Sequence, residues 1–152
     1  MSAVINGVDG LKAMVGQTLG TSTWREMAFE DIVRFADATG DHQWLHVDRE
    51  RCVRESPYGA PIAHGYFTMS LIAGLFFSVV EIRGFKAVVN YGMDKVRFPT
   101  PLRAGSQYRL VLKLAEVRDV AGGVEALMNA TIEVQGDAKP ACAAMIIYRY
   151  LT

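Results

Sequence analysis

Read for the recurrence of hydrophobic and polar positions, the chain changes character near its middle. Ile32, Phe35, Ala36 and Thr39 fall on one face at helical spacing, and the helix they predict stops at Gly40, a residue suited to the left-handed turn that closes a helix. Asp48 is placed to begin a short helical segment over 49–53. The stretch Ser56-Pro57-Tyr58-Gly59-Ala60-Pro61 reads as a loop, since its two prolines exclude both a helix and a central strand. Sixteen uncharged residues follow from Gly65 to Val80, predicting a helix of roughly 24 Å at about 1.5 Å per residue. That segment is apolar on nearly every side, so the remaining elements are expected to surround it.

Beyond it the period becomes two. Over 107–117 Tyr108, Leu110, Leu112 and Leu114 alternate with Gln107, Arg109 and Lys113, and over 124–134 Val124, Ala126, Met128, Ala130, Ile132 and Val134 alternate with polar residues, after a turn at Gly122-Gly123. A last strand is predicted over 141–151. Shorter extended pieces are expected over 83–90 and 93–98, the second stopped by Pro99-Thr100-Pro101. Gln17 to Met27 reads as extended, whereas Met1 to Gly16, broken by Gly7 and Gly10, fits a loose lead-in or a short helix equally. The sum is a single α+β domain over 1–152, one long apolar helix layered against five or six antiparallel strands.

Composition narrows the function classes. With 152 residues, 51% of them hydrophobic and 21% charged, the chain is rich enough in apolar surface to suggest a partner subunit. Sixteen Lys and Arg balance sixteen Asp and Glu, leaving no basic field to attract nucleic acid or an anionic membrane. The uncharged run falls short of the roughly twenty residues that span a bilayer. Cys52 and Cys142 lack the spacing of a metal or redox pair and read as reduced thiols; with no signal-peptide pattern at the N-terminus, a cytoplasmic location is expected. Three histidines without ligand spacing predict no metal site.

The candidate chemistry lies between Gly40 and Gly65. Asp41 and His46 are five positions apart, a separation that turns side chains about 140° apart on a helix and onto opposite faces of a strand, so only a folded-back loop brings them together. An acid and an imidazole followed by a glycine that opens a helix supply an acid/base pair and an exposed N–H donor. Taken alone, Gly40-Asp41 is also an ordinary turn pair, and His42 an ordinary solvated residue.

Three strings carry more. Phe35-Ala36-Asp37-Ala38-Thr39-Gly40-Asp41, His46-Val47-Asp48 and Pro61-Ile62-Ala63-His64-Gly65-Tyr66 together resemble the MaoC-like dehydratase, or (R)-specific enoyl-CoA hydratase, family. Gly40-Asp41-His42-Gln43-Trp44-Leu45-His46 and the stretch from Val89 to Pro99 resemble its nodulation protein N-like branch. The resemblance implies a hot-dog fold, in which a curved antiparallel sheet wraps a central helix, and a homodimer with the site near the subunit interface. It implies reversible addition of water to a trans-2-enoyl thioester of coenzyme A or acyl carrier protein, with no cofactor beyond the coenzyme A of the substrate. Asp41 and His46 would hold and activate the water and the Gly65 N–H would bind the thioester oxygen. His64 could serve as a structural hydrogen-bonding residue or bind substrate, and Lys95, Arg97 and Arg103 could meet coenzyme A phosphates or be solvated. The chain departs from the commoner pattern at Gln43-Trp44, where many members have Asn-Pro, and at Ala73, where several hydratases carry Ser. A thioesterase of the same fold and a non-catalytic acyl-thioester binder remain alternatives.

Overall fold

A computed structural model describes residues 3–152. In chain order the elements are β1 (Ala3–Asn6), α1 (Gly7–Ala13), β2 (Thr18–Thr21), β3 (Arg25–Glu26), α2 (Phe29–Thr39), α3 (Trp44–Val47), α4 (Arg49–Glu55), α5 (Gly65–Val79), β4 (Val80–Arg83), β5 (Ala87–Arg97), β6 (Gln107–Val120), β7 (Gly123–Val134) and β8 (Cys142–Leu151). The alternation of the second half produces what it predicts: β6, β7 and β8 are consecutive antiparallel neighbours in the order β2-β6-β7-β8-β5, with β3 also paired to β6. The turn between β6 and β7 runs close to β8, and a Cβ on Gly123 would collide with the Tyr150 carbonyl.

Leu110, Leu112 and Leu114 of β6, Met128 and Ile132 of β7 and Ile146 of β8 are wholly buried, forming one core with Ile72, Leu75, Phe76 and Val79 of α5. Each such side chain contributes about 1.5–3 kcal/mol by leaving water. This joint core fixes α5 on the sheet and with it the position of Gly65 at the helix start. Cys52 and Cys142 are buried and unpaired, and burial pushes the Cys142 thiol up to about 11.

Four features depart from the sequence expectation. Residues 3–13 are a strand and a helix, and β1 pairs parallel with β4, a second sheet beside the antiparallel one. The two extended pieces expected over 83–90 and 93–98 are instead one continuous strand, β5, that absorbs register shifts at Asn90/Gly92 and Asp94/Arg97, with β4 a further short strand before it. Bulges of this kind let a strand continue through residues that break strict alternation. His46, expected in a loop, lies on the one-turn helix α3. Finally, α5 is not surrounded: the sheet covers one side, while Tyr66, Ser70, Gly74 and Phe77 lie along an open face, Tyr66 72% and Phe77 64% exposed.

Candidate active site

The site is assembled from the end of α2, the turn α3 and the start of α5. Gly40 takes the left-handed conformation at φ 78°, donating its N–H to the Ala36 carbonyl at 2.8 Å, so the Asp41 segment leaves α2 from a fixed point. The Asp41 carboxylate accepts one long bond from the Gln43 N–H at 3.4 Å. Gln43 is extended and its carbonyl receives the His46 N–H at 2.9 Å, closing α3. Trp44, in place of the commoner proline, lies under the Arg51 guanidinium at 4.3 Å, and Asp48 caps α4 through the Arg51 N–H at 2.9 Å. Asp41 in the turn and His46 on the helix therefore converge, which neither element alone would permit.

Segment 62–64 locks against this turn. The Ile62 N–H donates to the Leu45 carbonyl at 3.0 Å, and His46 Nδ1–H donates back to the Ile62 carbonyl at 2.7 Å. A carbonyl only accepts, so the neutral His46 ring carries its proton on Nδ1 and presents the Nε2 lone pair. Burial lowers the His46 pKa from its ordinary 6.5; the neighbouring His64 lowers it further, against the opposing pull of the Ile62 carbonyl and of Asp41. The ring is thus held neutral and able to accept a proton. His42 stands apart on the surface, where the Asp37 carboxylate 2.8 Å away raises its pKa.

His64 belongs to the same cluster. It is 2% exposed, its Nε2–H donates to the Asp41 carbonyl at 2.9 Å, and its ring stacks on His46 with centroids 3.7 Å apart and planes 25° apart. Its other neighbour, Phe35, has its centroid 5.0 Å away. One polar atom from each of Asp41, His46 and His64 lies within 4.8 Å of the others, a separation a metal ion could span. His46 Nδ1 and His64 Nε2 are engaged by the Ile62 and Asp41 carbonyls, which leaves one ring nitrogen of each imidazole for any further partner.

Gly65 opens α5, and as a first-turn residue its N–H has no acceptor within the helix. A Cβ on Gly65 would lie 3.0–3.2 Å from three atoms of the Phe98 ring. Gly65 and Phe98 also line a cavity of about 360 Å³ with Thr68, Pro101, Leu102 and Ala141. The three cations stand on two segments. Lys95 and Arg97 sit at the β5 register shift, Lys95 with φ 53°, whereas Arg103 pairs across a bridge with Ile62 and reaches toward Asp137 at 3.9 Å. Arg97 donates to the Val96 carbonyl at 2.7 Å. Ala73 offers no hydroxyl, and the nearby Thr68 hydroxyl is already donated to the His64 carbonyl at 3.1 Å. Phe35, Ile62 and Phe98 fall within the strings quoted above, but their support of the site arises only from tertiary contact.

Known proteins match this arrangement at two levels. A 3-hydroxyacyl-thioester dehydratase Z of Mycobacterium tuberculosis is 45% identical over 145 residues, covering 95% of each chain. Nodulation protein N of Rhizobium meliloti is 42% identical over 137 residues, 88% of this chain and 84% of that one. In fold, the R-hydratase PhaJ1 of Pseudomonas aeruginosa superposes with a TM-score of 0.72 at 21% identity, over 90% of this chain and 81% of that one. The sheet and helix are accordingly those of the hot-dog fold expected from the sequence. Residues 11–135 match the family model described as the MaoC like domain, and with relatives this similar along nearly its whole length the chain belongs to the MaoC-like dehydratase family.

Proposed function

We propose that this protein is a hydro-lyase that adds water reversibly to a trans-2-enoyl thioester, giving a 3-hydroxyacyl thioester of (R) configuration. The observation that carries this reading is the His46 Nε2 lone pair, set by the Ile62 carbonyl and placed beside the Asp41 carboxylate. A water between the two gives up a proton as its oxygen bonds to the β-carbon. The π electrons of the double bond move toward the thioester oxygen, where the Gly65 N–H, at the positive end of α5, meets the developing charge. Return of a proton to the α-carbon completes the addition, and the reverse sequence is dehydration. No electron enters or leaves, so the reaction calls for no redox cofactor; coenzyme A is carried in only as part of the substrate.

Assembly follows from the same surfaces. β5 is the sheet edge, and Val88, Val89 and Tyr91 on it are 39%, 45% and 55% exposed. With the open face of α5, these residues support a homodimer joined along the β5 edges, which would cover both the unpaired strand and the apolar stripe. No helix of the described residues is long and apolar enough to cross a membrane, and a cytoplasmic enzyme acting on diffusing thioesters fits the reaction.

The test is hydration of crotonyl-CoA, followed as loss of the conjugated-enoyl absorbance. Asp41→Asn and His46→Gln are each expected to lower kcat by about 10²-fold or more, the scale of positioned acid–base catalysis. Parent-like rates in both variants would remove these residues from the mechanism, and release of free thiol without hydration would replace it with thioester hydrolysis.

A further inference from the structure

Three polar parts of the proposed mechanism meet at the start of α5, and His64 reaches all three. Its Nε2–H holds the Asp41 carbonyl at 2.9 Å, its face backs His46 at 3.7 Å, and its own carbonyl is joined directly to the Gly65 nitrogen. Little else secures Asp41: the carboxylate side chain is 55% exposed and held by the single long bond from Gln43. Between the Gly40 N–H bond to α2 and the His46 N–H bond that closes α3, the His64 imidazole is the tie between this turn and α5. His64 is too deeply buried to meet substrate directly, and its Nδ1, the atom that does not bond Asp41, has no partner.

Resting on the hydro-lyase reading, we propose that His64 is a positioning residue, which fixes Asp41 by hydrogen bonding and His46 by stacking, both relative to the Gly65 N–H. This extends the structural hydrogen-bonding role left open by the sequence and sets aside substrate binding. It does more than fill space, because its donor and its face act on two different groups, and it is not a substrate ligand. The consequence is kinetic: displacing reacting groups by about 1 Å can cost on the order of 10²-fold in rate while leaving binding by the rest of a large substrate intact.

Two substitutions separate the two contacts. His64→Gln keeps an N–H donor and loses the ring face; His64→Phe keeps a ring face and loses the donor. Each is expected to lower kcat for crotonyl-CoA by about 10- to 100-fold with KM changed less than about threefold. The titratable groups facing His46 are Asp41 and His64, so removing His64 should also raise the His46 titration midpoint, read by NMR of the imidazole carbons without substrate. If one variant does not unfold cooperatively, the other decides by the same readouts. A raised KM with kcat preserved would make His64 a substrate ligand and overturn the proposal, as would parent-like kcat and an unmoved His46 midpoint. If the parent protein turns over no enoyl thioester of any length, the reaction assigned above fails; an unmoved midpoint in both variants would then overturn the positioning role independently.

Discussion

Replacing Gly65 with Ala tests whether one residue serves both as seat for the Phe98 ring and as donor to the substrate. The added methyl would lie 3.0, 3.2 and 3.1 Å from Cε2, Cζ and Cδ2 of Phe98, where carbon atoms settle at about 3.5–4.0 Å. Phe98 is 43% exposed, so the ring can swing outward. Overpacking of this kind costs about 1–3 kcal/mol, and Ala in place of Gly in a helix returns up to about 1 kcal/mol. The net loss is then about 3 kcal/mol at most, or a Tm lowered by no more than about 12 °C for a chain of this size. Activity should suffer more, since loss of one donor at a developing oxyanion costs about 10²–10³-fold where it has been measured, and a methyl beside the N–H obstructs approach to it. The assay is a double-mutant cycle: Gly65→Ala, Phe98→Ala and the pair, each measured by thermal unfolding and by crotonyl-CoA hydration. Stability should recover in the pair relative to the sum of the single changes, whereas activity should not return fully. Additive stabilities would refute the contact between Cβ and ring, and a Gly65→Ala enzyme within threefold of the parent rate would refute the expected obstruction of the Gly65 N–H.

Two other expectations rest on charge and on the edge strand. Because burial holds the His46 midpoint below 6.5, kcat/KM should fall on acidification along a limb centred below pH 6.5; a limb centred above 6.5 would contradict this. The same shift sets stability: the unfolded chain takes up a proton on His46 at higher pH than the native one, so this contribution is complete above about pH 6.5 and lost as pH falls toward the native midpoint, checked by urea midpoints at three pH values. Light scattering at micromolar concentration should give the mass of two chains, and Val89→Lys together with Tyr91→Lys on the β5 edge should shift it toward one; a parent protein with the mass of one chain would refute the dimer.

What the sequence makes legible is local. The face of Ile32, Phe35 and Ala36 gives α2, and Gly40 ends it as expected; the alternation of Tyr108 to Leu114 and of Val124 to Val134 gives β6 and β7, because period-two burial is written residue by residue. The parallel pairing of β1 with β4 is invisible, since its two strands lie far apart in the chain and each is only four residues long. β5 was split by its own bulges, whose unpaired residues break the pattern used to find strands. At the site, Asp41 and His46 are legible as an acid and a base, and Gly65 as a glycine before a helix. The Phe98 ring over Gly65 and the bonds that link Asp41, His46, Ile62 and His64 are not, because each joins segments that only tertiary folding brings together.

The β1–β4 pair also bears on the order in which the molecule is put together. Ala3 to Asn6 leave the ribosome well before their partners, Val80 to Arg83, which follow the whole of α5. Until Arg83 has emerged, β1 has no strand to join, and closing so long a loop is entropically costly before the core formed by α5 and the sheet repays it. The N-terminal strand is therefore a late fastening: it closes over the C-terminal end of α5 only after the helix has docked, so that removing it should loosen that end while leaving the distant helix start, with Gly65 and His64, in place.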